Sequence, residues 1–344
     1  MKKLITYDEL VEKSKTFFQN NAGVKVQTTA NLIGNMRDRS ETIERFANQA
    51  YPIIHETVVD LIKDFLVFKL QQGSLTERKL YRAMSVAEFV DRLVSKRPLV
   101  FFMPVDSWTT KEGGYGTGGW ENIGTDKDGS QGLKLESFLS YDEIKLSALL
   151  QLSTPTLLIN SGSRDNVGRP GQRGSFISEA VYVGVVGARF EVAGRMEYED
   201  MIREPGQQDR QKGCGAKTLQ ALFARFYGSH LNSESQRLVE TGLFSSVYLD
   251  TDIYTKRIQI SAETFLLEAD HRGLQEDRDV YCHVVGLGLG VWKISSEQNK
   301  YFLREFLQLS LTLSLIFFSE NLLNSIRERN DCFNCFHTGL GSMH

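Results

Sequence analysis

Residues 280–293 read Val280-Tyr-Cys-His-Val-Val-Gly-Leu-Gly-Leu-Gly-Val-Trp-Lys293. A run rich in β-branched and aromatic residues breaks into three alternate glycines, and a helical pattern follows from about Ser296. The order predicts a strand feeding a glycine loop feeding a helix. Glycine lets backbone N–H groups turn inward with no Cβ in the way, and a helix start adds the positive end of its dipole. Such a loop suits a diphosphate, held along Gly286, Leu287, Gly288, Leu289, Gly290, Val291 and Trp292. Glycine spacing alone equally describes a turn needed only for tight packing, so the rest of the chain has to decide.

Upstream, from Arg97 onward, strands and helices alternate. Residues 98–105 form an apolar run of strand length that ends at Asp106-Ser-Trp108. A glycine-dense segment follows, Gly113-Gly-Tyr-Gly-Thr-Gly-Gly-Trp120, and the aromatics among its glycines favour a ligand-covering loop over a spacer. Ser140 then reads as a helix N-cap with Glu143 at the capping-box position, which places Asp142 and Glu143 at the lip of that loop. Capping is a sufficient structural reason for Glu143, and it would also fix a carboxylate facing substrate.

Residues 154–160 form a second buried strand. The loop at its C-terminal end offers Asn160, Ser161, Gly162, Arg164 and Asn166, where ligands gather in open α/β sheets. A third strand is expected over 180–190 and a helix over 218–227. A short strand, 245–249, closes on Asp250-Thr-Asp252. A further helix is expected to open at Ser261, carry Asp270 and end at Gly273, with the last helix over 301–316.

Before residue 95 the texture is helical. Apolar residues over 51–70 recur at helical spacing, and Ser85-Val-Ala-Glu88 is a capping-box match. His55, among apolar neighbours, reads as a satisfied core histidine rather than a ligand. The expected organisation is a helical N-terminal extension over 1–95, an α/β domain over 96–318 and a loose tail over 319–344.

The chain has 344 residues, 41% hydrophobic and 24% charged, with a formal net charge of −3. That is an ordinary globular balance without the basic excess of a nucleic-acid binder. The N-terminus has acids too early for an apolar signal core, and the most apolar late segment, 306–318, is too short to span a bilayer. The expectation is therefore a cytoplasmic protein with neither membrane nor nucleic acid as partner. Four cysteines imply no disulfide framework, and Cys332-Phe-Asn-Cys335 with His337 is half a zinc pattern without its second half. No metal and no cofactor are expected.

With the strands laid out, the chain resembles the macrodomains of the poly(ADP-ribose) glycohydrolase-like branch, and most of all the MavL-type arginine-specific ADP-ribosylhydrolases. The residues that carry the likeness are the glycine loop 113–119, Tyr141-Asp-Glu-Ile144, Leu157-Leu-Ile-Asn-Ser-Gly162 and Val284-Val-Gly-Leu-Gly-Leu-Gly-Val-Trp292. The glycohydrolase signature differs: its glycines are consecutive, and its acids follow after a shorter gap. The resemblance implies a macrodomain-like mixed sheet flanked by helices and the removal of mono-ADP-ribose from modified arginine in proteins. The implied partners are ADP-ribose and an ADP-ribosylated protein.

The resemblance further implies diphosphate on the 286–292 loop, distal contacts near Asp106, and the scissile ribose under Gly118, Gly119 and Trp120. Aspartates from the later part of the chain, Asp250, Asp252 and Asp270, would surround the guanidinium, with Asp142 and Glu143 as further candidate acids. Breaking a glycosidic C–N bond through an oxocarbenium-like state calls for carboxylates to orient water and pair with the guanidinium, and the scheme itself requires no metal. The alternative is an ADP-ribose reader without catalysis. A dinucleotide oxidoreductase fits less well, because Gly-Leu-Gly-Leu-Gly lacks the later glycine and the acid about twenty positions on.

Overall fold

Hydrogen bonds between a cap residue and the third residue of its helix set where several helices begin. In a computed structural model that describes residues 4–21, 32–98, 100–102, 107–161, 168–186, 200–203, 217–228, 238–241, 246–289 and 293–312, reciprocal capping boxes start α1 (Tyr7–Asn20) at Thr6 and Glu9. After α2 (Ser40–Asn48) comes β1 (Tyr51–Ile53), then α3 (Glu56–Gln72). The helix expected over 51–70 is thus divided. Pro52 disfavours helical backbone at Tyr51, and His55 acts as N-cap, its Nδ1 accepting from the Thr57 amide at 3.2 Å. His55 Nε2 lies 3.2 Å from Glu263, so the histidine is partnered, as its apolar setting suggested.

Capping boxes also start α4 (Leu75–Tyr81) at Ser74 and Glu77, and α5 (Val86–Ser95) at Ser85 and Glu88. Each N-cap of this kind is worth about 1 kcal/mol. Three strands follow, β2 (Val100–Phe102), β3 (Ser107–Thr109) and β4 (Tyr115–Thr117), then α6 (Tyr141–Ser147), β5 (Gln151–Leu157), β6 (Glu179–Val185) and β7 (Ile202–Arg203). After α7 (Lys217–Tyr227) come β8 (Leu238–Glu240), β9 (Tyr248–Asp250), α8 (Thr251–Glu276) and α9 (Glu297–Thr312).

The described strands form three small sheets, ordered β1-β5-β6, β2-β3-β4 and β7-β9-β8, and every described pairing is antiparallel. The protein is a mixed α/β fold. The buried face of α3, with Val58, Leu61, Ile62 and Phe65, meets Tyr81 and Phe89; the same cluster continues through Trp120, Leu135, Ile144, Phe223, Tyr254 and Phe302. Each large apolar side chain buried there contributes roughly 1.5–3 kcal/mol.

Two further expected elements differ. Helix α8 does not open at Ser261; it runs unbroken from Thr251, and Ser261 is a buried mid-helix residue receiving Arg257 Nη1 at 2.5 Å. Gly273, expected as the C-cap, lies inside the last turn, and Asp277 closes the helix at φ +50°. Residues 280–285 form no strand: their burial alternates as the sequence suggested, with Tyr281, His283 and Val285 outward, yet no described strand pairs with them. Among the described residues, no helix is long and apolar enough to cross a membrane.

Candidate active site

The acid pair on α6 is tied down by cations from the N-terminal helices. Glu143 is fully buried and takes Arg92 in a two-pronged bond, Nε to Oε1 at 2.6 Å and Nη2 to Oε2 at 2.9 Å. The same carboxylate accepts the Ser140 amide at 2.8 Å, and Arg92 Nη2 also donates to the carbonyls of Leu135 and Phe138. Burial pulls the Arg92 pKa down, but the bonds and charge of Glu143 outweigh it and leave it raised. Asp142 receives Lys69 Nζ at 2.7 Å, and Lys69 also reaches Glu77 at 2.5 Å. Burial lowers Lys69 as well, and its two carboxylates more than offset that, raising it overall. Glu143 is therefore held as a fold-building carboxylate.

The glycine segment before α6 is a clamped hairpin rather than a loose cover. Trp108 lies beneath β4 and donates Nε1–H to the Gly118 carbonyl at 2.9 Å. Gly116 rests on that ring: a Cβ there would sit 2.5 Å from it. Trp120, expected to face ligand, is fully buried between Trp108 and Phe138, with its N–H donated to the Leu139 carbonyl at 2.9 Å. Asn21 Nδ2 donates to the Lys111 carbonyl at 2.7 Å and pins the hairpin turn to α1. Of the hairpin's aromatics, Tyr115 points outward, 85% exposed.

At α8, the first turn places two aspartates side by side with different surroundings. Asp250 is fully buried; it caps the helix by accepting the Ile253 amide at 3.3 Å and lies 3.2 Å from Arg203 on β7. Asp252, two residues on, is exposed. A second ion pair, Lys145 to Asp200 at 2.8 Å, ties α6 to the chain just before β7. Asp270 sits on the same unbroken helix eighteen residues further, which is five turns and about 27 Å. The expected convergence of all three aspartates on one guanidinium is therefore corrected, because a rigid helix separates Asp270 from the other two.

The 286–289 stretch is closed on itself. The Leu287 amide donates to Val285 O at 2.8 Å and the Leu289 amide to Gly286 O at 3.1 Å, while Gly288 turns the chain at φ +75°. Leu289 is core, 3% exposed. Just before α9, the amides of Ile294 and Ser295 converge on Gln298 Oε1 at 2.7 and 3.0 Å. The donors expected to hold diphosphate at Leu287 and Leu289 thus bond to this chain's own carbonyls. Asn160 donates to Arg169 O at 2.9 Å, and Ser161 is exposed beside it. Asp106, Gly162, Arg164, Asn166, Gly290, Val291 and Trp292 lie outside the described residues, as do Cys332, Cys335 and His337.

Residues 8–320 match the family described as ADP-ribosylhydrolase MavL-like. The chain belongs to the MavL-like ADP-ribosylhydrolase family. It is similar to ADP-ribosylarginine hydrolase CG3568 of Drosophila melanogaster, 38% identical over 287 residues, which is 78% of this chain and 56% of that protein. It is also similar to ADP-ribosylarginine hydrolase CG2909 of the same organism, 33% identical over 293 residues, 80% of this chain and 57% of that protein. The chain spans a little over half the length of these two relatives.

This MavL-like chain also contains a polar cluster that the sequence reading missed. Glu268, buried on α8, accepts Tyr51 Oη at 2.7 Å, Ser153 Oγ at 2.6 Å and Arg272 Nε at 2.7 Å, so α8 is fastened to β1 and β5. Burial raises its carboxyl pKa, but the bonds from Ser153, Arg272 and Tyr51 override it and leave it lowered. The spacing Glu268–Arg272 was the available signal, since residues four apart share a helix face. Arg203, which pairs with Asp250, was missed too. Among the described residues, no group of three or more His, Cys, Asp or Glu could hold a metal ion.

Proposed function

We propose that this chain is a hydrolase that releases mono-ADP-ribose from modified arginine side chains of proteins. The observation that carries the reading is its membership of the MavL-like ADP-ribosylhydrolase family, together with two relatives named as ADP-ribosylarginine hydrolases over about four-fifths of this chain. The bond to be cut joins the anomeric carbon to a guanidine nitrogen. Water adds its oxygen to that carbon, the C–N bond breaks, and the arginine leaves with a proton on its guanidinium.

Asp252 is the carboxylate best suited to orient that water and take up its proton. It is exposed, it stands at the positive end of α8, and Asp250 behind it fixes the turn through its cap and Arg203. Asp142, which Lys69 anchors, is the second acid of this reading. The diphosphate lies along 286–292 in this reading, which requires the Leu287 and Leu289 amides to exchange their internal carbonyls for phosphate oxygens. The macrodomain-like arrangement of the sheet and the division of the chain near residue 95 belong to the same proposal.

The test is to incubate the full chain with a protein ADP-ribosylated on arginine and follow label release. Release of intact ADP-ribose, with unmodified arginine restored, is the expected result. Binding of ADP-ribose without release at any pH between 5 and 9 would leave a reader domain instead.

A further inference from the structure

Three cations gather where α5 ends and the glycine hairpin begins, on the side of α6 away from its acid pair. Arg97 is half-buried, and Nη1 donates to Ser147 Oγ at 3.1 Å at the C-terminal end of α6. A guanidinium carries five N–H donors, and this is the hydrogen bond found for Arg97 among the described residues. No described carboxylate lies within ion-pair range of it. Lys111 Nζ folds back to the Ser95 carbonyl at 2.7 Å, with the Lys111 backbone pinned by Asn21. Lys96 is the third cation, its carbonyl accepting the Leu139 amide at 3.1 Å.

Charge magnitudes separate a structural role from a binding role. The C-terminal ends of α5 and α6 each offer about half a negative charge, and Glu112 adds one full charge near Lys111. Against three full positive charges, the described residues leave about one positive charge without a counter-charge. Burial pushes Arg97 down to about 10. Lys111 is lowered as well, by burial first and then by the nearby charges of Arg97 and Lys96, with Glu112 pulling the other way.

We propose that Arg97, flanked by Lys96 and Lys111, is an anion subsite that receives a phosphate-type group on the unused edge of its guanidinium. Arginine presents parallel N–H donors that match two phosphate oxygens, and the two lysines add charge without fixed geometry. Ser147 holds the guanidinium in place from behind. The occupant is either free inorganic phosphate or the phosphate of a second nucleotide bound apart from the 286–292 loop, which share this chemistry. The subsite stands apart from the hydrolase reading, because it rests on charge and hydrogen bonding alone.

Calorimetric titration of the full chain with pyrophosphate, and separately with ADP-ribose, tests it in the parent, Arg97→Gln and Lys111→Gln proteins. Pyrophosphate binding is expected to weaken about tenfold in Arg97→Gln, or about 1.4 kcal/mol, and about threefold in Lys111→Gln, with the parent's affinity falling as salt rises. A second ADP-ribose binding event, weakened by the same factor in the variants, identifies a nucleotide as occupant. Loss for pyrophosphate alone identifies free phosphate. A parent that binds neither ligand, or variants that bind both as well as the parent does, overturn the subsite. Should Arg97→Gln fail to fold, Lys111→Gln decides, since unchanged pyrophosphate binding there also overturns it. Hydrolysis is not measured, and variants that bind both ligands as the parent does leave the hydrolase proposal untouched.

Discussion

Helices α6 and α8 begin alike and end up differently used. Each opens with a polar cap and carries acids in its first turn: Ser140 with Asp142 and Glu143 on one, Asp250 with Asp252 on the other. On α6 both acids are ion-paired, Glu143 with Arg92 and Asp142 with Lys69. On α8 the buried acid is the cap itself, and its neighbour Asp252 is exposed. The local motif is the same, and what differs is which distant cations reach it. Glu143 is made structural by the buried Arg92 that meets it, whereas Asp252 keeps an exposed side chain at the start of its helix.

The sharpest way to break this contrast is Asp252→Asn. Release of ADP-ribose from arginine is expected to fall about 10²–10⁴-fold, with the urea unfolding midpoint unchanged; a mutant that keeps its rate would remove Asp252 from the reaction. Asp270→Asn, five turns away on the same helix, is expected to leave the rate close to the parent's, and a comparable loss there would move the site along α8.

The converse test is Glu143→Ala, which leaves the Arg92 guanidinium buried without its carboxylate. A stability loss of about 3–5 kcal/mol is expected from urea denaturation, and a loss near zero would contradict the fold-building role assigned to this acid. Gly288→Val comes next, because a β-branched residue at φ +75° is strained by about 1–3 kcal/mol. Its effect should appear in the unfolding midpoint as well as in ADP-ribose affinity, and an affinity loss with an unchanged midpoint would show the turn to be purely a ligand cradle.

The smallest effect concerns pH. The Glu268 pKa is lowered in the folded state from its ordinary 4.5. Its contribution is therefore present above that ordinary value and is lost as pH falls through the lowered one. Thermal unfolding followed downward from pH 6 should show stability declining below about pH 4.5, and a shallower decline in Glu268→Gln. Parallel curves for the two proteins would mean that the cluster with Tyr51, Ser153 and Arg272 does not couple to folding.

Elements specified by neighbours in the chain were open to sequence reading. The boxes at Ser85 and Ser140 involve residues three apart, and short-range periodicity gave the helix at 217–227 and, displaced from the expected 154–160, the strand at 151–157. The split at Pro52 and the unbroken run of α8 through Ser261 were harder, because a cap-like Ser-x-x-Thr pattern looks locally like a start even where packing carries the helix through it.

What the sequence determined by itself is the mixed α/β character, the helix starts at Ser85 and Ser140, the acids Asp142 and Glu143 at the second of these, and the MavL-like ADP-ribosylhydrolase family to which the chain belongs. Only the tertiary structure decided which acids are sequestered. Arg92 meets Glu143 across 51 positions, Lys69 meets Asp142 across 73 and Tyr51 meets Glu268 across 217. Capping geometry is written in dihedral angles and hydrogen bonds within one turn. The pairing of a buried charge instead depends on which far-off side chain the packed core delivers to it, and no local pattern encodes that.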